Sequence, residues 1–256
     1  MTELLHADSR LSSAERPRRA ALQGAVLLAV IFPFALASAY ALALVAGASR
    51  PGFSAALTFA LYTAGALVVL RDLMSAGRYP HARLGLCNAI TLTRAAGIAV
   101  MAGLVFAPVT GLGWLLVALA GGLLVLDGLD GWAARRARLQ SAFGARLDVE
   151  SDVAFALTLA ALAVALGQVG PWFLLLGLMR PLFLGAGRIW PALRAPLPEA
   201  RWRKRMAALQ MTVQVVLIAP VLAPPLSVWL GAGMLAAMLV SFAVDIRWLL
   251  RQTPSS

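Results

Sequence analysis

A chain of 256 residues that is 61% hydrophobic, with 22 Lys and Arg against 11 Asp and Glu, has too little polar surface to close a soluble globule. The net charge of +11 does not point to nucleic acid, because the basic residues lie between apolar runs and not on a soluble domain; anionic lipid head groups or a phosphorylated substrate fit them better. The single Cys87 excludes an internal disulfide, and no Cys/His spacing offers a zinc site.

Read in order, residues 1–19 are a polar N-terminal tail. Runs of about 18 or more mainly apolar residues then mark eight candidate membrane spans. They lie at about 20–48, 52–70, 88–107, 111–131, 152–169, 171–187, 206–222 and 226–246. The predicted fold class is therefore an all-α polytopic membrane protein of about eight transmembrane helices. Arg18-Arg19 before Ala37-Ser38-Ala39 has the outline of a secretory signal. The apolar run continues to about residue 47, beyond the roughly 7–15 residues of a signal core, so a retained first span is predicted. Residues 71–87 are basic and interrupted by Pro80, which predicts a juxtamembrane amphipathic helix. Ala107-Pro108, Gly167 to Pro171 and Ala223-Pro224-Pro225 suit tight helical hairpins. Residues 247–256 form a C-terminal tail.

Charge sets the expected orientation. Arg10, Arg16, Arg18 and Arg19, the basic residues of 71–83, 135–146 and 188–205, and Arg247 with Arg251 fall on one side, and only Arg50 on the other. The positive-inside rule makes the first side cytoplasmic, with both termini. Trp190, Trp202 and Trp248 near those ends read as interfacial anchors.

Four aspartates gather on that side in an acid-poor chain. Asp127 and Asp130 are three apart and Asp148 and Asp152 four apart, so each pair shares a helix face. A hairpin through 136–143 would bring the pairs together at one depth. Carboxylates near a bilayer are costly and are kept mainly to bind ions, pair with cations or move protons. Four hard oxygen donors suit Mg²⁺ or Mn²⁺, with Ca²⁺ open and softer metals disfavoured; two ions are plausible on this donor count. Gly131, Ala134 and Gly144 would let a nucleotide or diphosphate approach between packed helices.

Together these residues compose Asp-x2-Asp-Gly-x2-Ala-Arg-x8-Gly-x3-Asp-x3-Asp, filled by Asp127, Asp130, Gly131, Ala134, Arg135, Gly144, Asp148 and Asp152. At usages of about 5–10% per residue, a chance match at a given start is on the order of 10⁻⁹. The pattern resembles the signature of the CDP-alcohol phosphatidyltransferases. That resemblance covers residues 88–246 and implies a six-helix core preceded by two extra helices at 20–70, usually in a homodimer. It implies an enzyme that cleaves a CDP-linked donor, passes the phosphate-bearing part to an alcohol and releases CMP. Asn88, Thr91 and Arg94 resemble the family's opening Pro-Asn-x2-Thr-x2-Arg, with Cys87 in place of Pro. The resemblance places them near the nucleotide, with Gly131, Ala134, Arg135 and Gly144. It makes Asp127, Asp130 and Asp148, with Asp152, metal ligands and Asp152 the base for the acceptor hydroxyl. Glu150, off the motif, reads as a pairing or solvated group.

The acceptor is less defined. Arg180 lies mid-span, where orientation does not call for charge, and with Arg188 and Lys204 it could grip an acceptor phosphate. Arg180, Arg188 and Trp190, and Lys204 with Gln210, are similar to phosphatidylglycerophosphate synthases, but Pro181 and Ala207 depart from their pattern. The expected reaction is transfer of a phosphatidyl group from CDP-diacylglycerol to a small alcohol in a bacterial inner membrane, in contact with membrane lipids. The alternatives are head-group transfer from a soluble CDP-alcohol to a lipid alcohol, a divalent-cation or proton-coupled transporter, and a membrane scaffold. A transporter would carry polar groups through the membrane depth, and a scaffold gives no reason for four aspartates among small residues.

Overall fold

The computed structural model describes residues 15–75, 79, 81–137, 141–195, 197 and 201–252, without the side chains of 132–135, 137, 201 and 252. The eight predicted spans correspond to eight α-helices, and no β-strand occurs among the described residues. They are α1 (Glu15–Val45), α2 (Pro51–Met74), α3 (Gly85–Gly103), α4 (Gly113–Ala137), α5 (Ala142–Ala165), α6 (Leu174–Ile189), α7 (Arg201–Leu217) and α8 (Leu226–Gln252). Six are long and apolar enough to cross a membrane. Of the other two, α5 carries Arg146, Asp148, Glu150 and Asp152 in its first half, and α7 is 17 residues long. The protein is an all-helical polytopic membrane protein.

Local signals set the helix ends. α1 stops at Gly47, whose φ of 78° an L side chain rarely adopts; its N–H donates to Leu44 O, and that of Ala48 donates to Ala43 O, both at 2.9 Å. Gly167, with φ 71°, closes α5 through the same pair of bonds, to Val164 O and Ala163 O. Pro51 opens α2 where its missing N–H costs nothing. Ser141 caps α5, its Oγ accepting from the Gly144 N–H at 3.0 Å.

The amphipathic helix predicted over 71–87 is not formed as one element. Residues 71–74 complete α2 and 85–87 open α3, while Ser75, Tyr79 and 81–84 are non-helical and 76–78 and 80 lie outside the described residues. The predicted N-terminal tail falls mostly in residues 1–14, also outside the described set, and α1 begins at Glu15; the predicted C-terminal tail over 247–256 is instead helical as far as Gln252, where α8 ends, and 253–256 lie outside the described residues.

The chain divides into two compact units. The first contains residues 1–108 and 118–152, the second 109–117 and 153–256. In the first, α1, α2 and α3 pack on one another around Leu28, Tyr62, Leu73, Tyr79, Leu92, Ala96, Val100 and Phe143. Small residues bring the backbones close: a Cβ on Gly103 would stand 2.7 Å from the Ser54 carbonyl oxygen. Tyr62 donates to Leu28 O at 2.6 Å, so its buried hydroxyl is satisfied. Phe34, Leu67 and Val125 point outward, at 69%, 64% and 62% exposure, as lipid-facing side chains do.

In the second unit, a Cβ on Gly177 would lie 2.6 Å from Leu157 Cα, so α5 and α6 touch backbone to backbone there. Gln214 of α7 donates to Ala156 O at 2.8 Å, and Arg203 pairs with Asp245 of α8 at 3.0 Å.

Candidate active site

The site is built from three helices of the first unit. On α3, Asn88, Thr91 and Arg94 follow a three-residue spacing that keeps them along one face, and all three are buried. α4 brings Asp127 and Asp130 in its last turns, and α5 brings Asp148 and Asp152 in its first turns.

Arg94 lies at the centre, 1% exposed. Its Nη1 pairs with Asp127 Oδ1. Its Nη2 lies 3.0 Å from Asp148 Oδ1 and 3.2 Å from Asp152 Oδ1. The guanidinium is thus a fork whose donors are spent on carboxylates from two helices, while its buried Nε has no partner. The carboxylates are more open: the side chains of Asp127, Asp148 and Asp152 are 40%, 45% and 44% exposed. One face of the cluster is packed around a buried cation, and the other is accessible.

Those three aspartates each offer an oxygen, all within 4.8 Å of one another. A carboxylate has about four lone-pair positions, so pairing with Arg94 leaves acceptor capacity on each. Three negative charges against one positive leave a formal deficit that a divalent cation would neutralise, and an all-oxygen donor set suits a hard ion. The residues therefore fit the group the sequence suggested. Asp130 stands apart from the three. It is 5% exposed, and the Thr91 hydroxyl donates to its Oδ2 at 2.8 Å while also lying 3.0 Å from Cys87 O.

Asn88 borders the cluster. Its Nδ2 donates to Leu84 O at 2.5 Å and to the Tyr79 hydroxyl at 3.1 Å. A Cβ on Gly144 would stand 3.1 Å from Asn88 Oδ1 and 3.3 Å from Ser141 Oγ, so a larger residue there would crowd this edge of the site. Burial pushes the Tyr79 phenol up to about 12, with the Asn88 hydrogen bond opposing, so it stays a proton donor at neutral pH. Glu150, on another face of α5, accepts from Arg146 Nε at 2.7 Å on the surface.

Of the site residues named from sequence, Asn88, Thr91, Arg94, Asp127, Asp130, Gly144, Asp148 and Asp152 come together in the first unit. Gly131 is on α4 beside Asp130, and the side chains of Ala134 and Arg135 lie outside the described residues. Tyr79 and Ser141 were not singled out. A Ser three residues before Gly144 is a readable cap signal, whereas nothing local marks Tyr79 as a partner of Asn88.

The acceptor candidates belong to the second unit. Arg180 and Arg188 are exposed on α6 and Lys204 is exposed on α7. The Arg188 carbonyl accepts from Arg194 Nη2 at 3.1 Å. Gln210 is buried, its Nε2 3.5 Å from Leu176 O. Trp190 is 61% exposed at the end of α6.

Compared with known proteins, residues 84–243, more than half of the chain, match a family model described as CDP-alcohol phosphatidyltransferase. No curated protein and no solved structure matches the chain.

Proposed function

The chain belongs to the CDP-alcohol phosphatidyltransferase family and is an integral membrane enzyme of phospholipid biosynthesis; from that premise we propose that its donor is CDP-diacylglycerol and its acceptor a small alcohol bearing a phosphate, such as glycerol 3-phosphate. The family assigns the coarser reaction, transfer from a CDP-alcohol to an alcohol, and is typically dependent on a divalent metal. The observation that carries the proposal is the convergence of Asp127, Asp148 and Asp152 on a buried Arg94, open on one side and bordered by Gly144.

In this reading, the acceptor oxygen attacks the phosphorus next to the diacylglycerol, the bond from that phosphorus to the oxygen of CMP breaks, and CMP leaves with the electron pair. Asp152 takes the acceptor's hydroxyl proton on a carboxylate oxygen. Asp127, Asp148 and, after reorientation from Thr91, Asp130 would hold Mg²⁺ or Mn²⁺, as one ion or two. When bound, the metal neutralises diphosphate oxygens and polarises the phosphorus under attack. Arg94, buried behind the carboxylates, holds them in register. Asn88 and Gly144 line the approach for the nucleotide, with Gly131, Ala134 and Arg135 following on α4. Arg180, Arg188 and Lys204 would bind the acceptor phosphate; an exposed arginine in mid-helix supports this, since topology alone does not call for it. The distribution of basic residues supports a cytoplasmic site; in this reading the membrane is a bacterial inner membrane, and the protein would act there as a homodimer.

The test is CMP release by purified, detergent-solubilised protein with Mg²⁺ and CDP-diacylglycerol. The acceptor panel is glycerol 3-phosphate, inositol 1-phosphate, inositol, serine and none. CMP that depends on a phosphorylated acceptor supports the reading. CMP formed only from a soluble CDP-alcohol with diacylglycerol reverses donor and acceptor.

A further inference from the structure

Three residues upstream of the family-matched region, which begins at residue 84, reach into the helices that carry the site. Gln23 of α1 accepts from the Leu84 N–H through its Oε1 at 2.9 Å. This bond matters because α3 opens with no capping side chain of its own, and the N–H groups at a helix start otherwise have no partner. Asp72 of α2, 8% exposed, pairs with Arg146 Nη1 of α5 at 3.4 Å. Tyr79, 2% exposed, directs its hydroxyl at the carbonyls of Arg83 and Leu84, the latter at 2.7 Å, and accepts from Asn88 Nδ2 at 3.1 Å. The Tyr79 ring meets Phe143, the residue before Gly144, edge to face at 5.6 Å between centroids.

These contacts land on two places. Gln23 and Tyr79 act on the start of α3, which carries Asn88, Thr91 and Arg94. Asp72 and Tyr79 act on the first turns of α5, where Phe143 and Arg146 lie five and two residues before Asp148. The cluster depends on the spacing of those helices, because Arg94 on α3 is within 3.0 to 3.2 Å of Asp148 and Asp152 on α5. A shift of about 1 Å in such an arrangement can cost on the order of 100-fold in rate.

We propose that Gln23, Asp72 and Tyr79 are positioning residues of the active site, and that the α1–α2 hairpin with the segment after it is part of the catalytic unit. They touch no reacting atom; they fix the start of α3 against the first turns of α5. The inference rests on the reading of the Asp cluster as the metal-binding reaction centre.

The test uses the full chain in detergent with two near-isosteric variants, Asp72→Asn and Tyr79→Phe, together with Asp72→Glu and the exchanged pair Asp72→Arg with Arg146→Asp. Mn²⁺ affinity is read by electron paramagnetic resonance without donor, and kcat by CMP release at saturating substrates. Loss of groups that orient ligands typically costs about tenfold or more in metal affinity. The expected result is a loss of that size in Mn²⁺ affinity for Asp72→Asn and for Tyr79→Phe, with unchanged helical circular dichroism, a matching fall in kcat and affinity close to wild type in Asp72→Glu. The exchanged pair should bind Mn²⁺ more tightly than Asp72→Arg alone. Wild-type Mn²⁺ affinity in both Asp72→Asn and Tyr79→Phe overturns the inference. If the wild type binds Mn²⁺ but releases no CMP from any CDP-linked donor, the functional reading falls and the Mn²⁺ titration alone decides this one. A wild type that binds no Mn²⁺ overturns both.

Discussion

The Thr91 hydroxyl donates to Asp130 Oδ2 at 2.8 Å and ties α3 to α4 at a depth where neither group reaches solvent. An aspartate at 5% exposure with one side-chain donor depends strongly on that donor. Thr91→Val keeps the shape and removes the bond, so it should lower stability in detergent by about 1–3 kcal/mol, the cost of leaving a buried polar group unsatisfied. Thr91→Ser should restore most of it. Thermal unfolding followed by circular dichroism measures both.

Asp152→Asn removes the proposed base while keeping the size of the side chain and one oxygen ligand. Turnover should fall by at least about 100-fold, within the range expected of a lost general base. Mn²⁺ binding without donor should be weakened less than by Asp148→Asn. Unchanged turnover would take Asp152 out of the proton-transfer role.

Gly144 and Gly122 make a matched pair. A Cβ at Gly144 meets Asn88 Oδ1 at 3.1 Å and Ser141 Oγ at 3.3 Å, whereas at Gly122 nothing lies within 4 Å. Gly144→Ala should raise KM for the donor several-fold with the fold retained. Gly122→Ala, in the interior of α4, should leave KM unchanged and stabilise by roughly 0.5–1 kcal/mol. Equal kinetics for the two would show that the crowded edge at Gly144 has no part in donor binding.

Chelation should separate activity from folding. Arg94 already supplies a cation to the three carboxylates, so protein treated with EDTA should lose CMP release yet keep its helical spectrum and nearly all of its thermal stability. In Arg94→Met the carboxylates face one another without that charge, and Mn²⁺ should then raise the melting temperature more than it does in the wild type. Ligand-linked stabilisation of about 2.7 kcal/mol at a hundred times Kd sets the scale of the effect.

Arg180→Ala should raise KM for the acceptor while leaving KM for the donor unchanged. Excess acceptor should restore the rate. A loss confined to kcat would count against a role in acceptor binding.

Much of this arrangement could be read from spacing. The three-residue and four-residue intervals of the aspartates placed each pair on a helix face, and long apolar runs separated by Gly and Pro marked the eight helices. What spacing could not reveal was how neighbouring helices divide the partners. Asp130 turns to Thr91 and away from the other three because of how α3 meets α4, and no interval within α4 encodes that. Arg94 was expected beside the nucleotide; its place among the carboxylates arises from a separation of 54 and 58 residues to Asp148 and Asp152. Tyr79 and Asp72 likewise act across the chain. The predicted surface helix at 71–87 is divided instead between its neighbours: α2 runs on to Met74, and α3 begins three residues before Asn88, so both ends of the stretch belong to the flanking helices.

The shared packing of α1, α2 and α3 bears on how this chain can change over generations. Leu28, Tyr62 and Leu73 bury the Leu92, Ala96 and Val100 stripe of α3, and Gln23 satisfies the Leu84 N–H. A descendant that dropped the hairpin would expose that stripe and leave the Leu84 amide without its side-chain partner at the start of α3. The hairpin is therefore no cassette to be shuffled. It can be lost only with compensating substitutions along α3, so the two segments are bound to be inherited together.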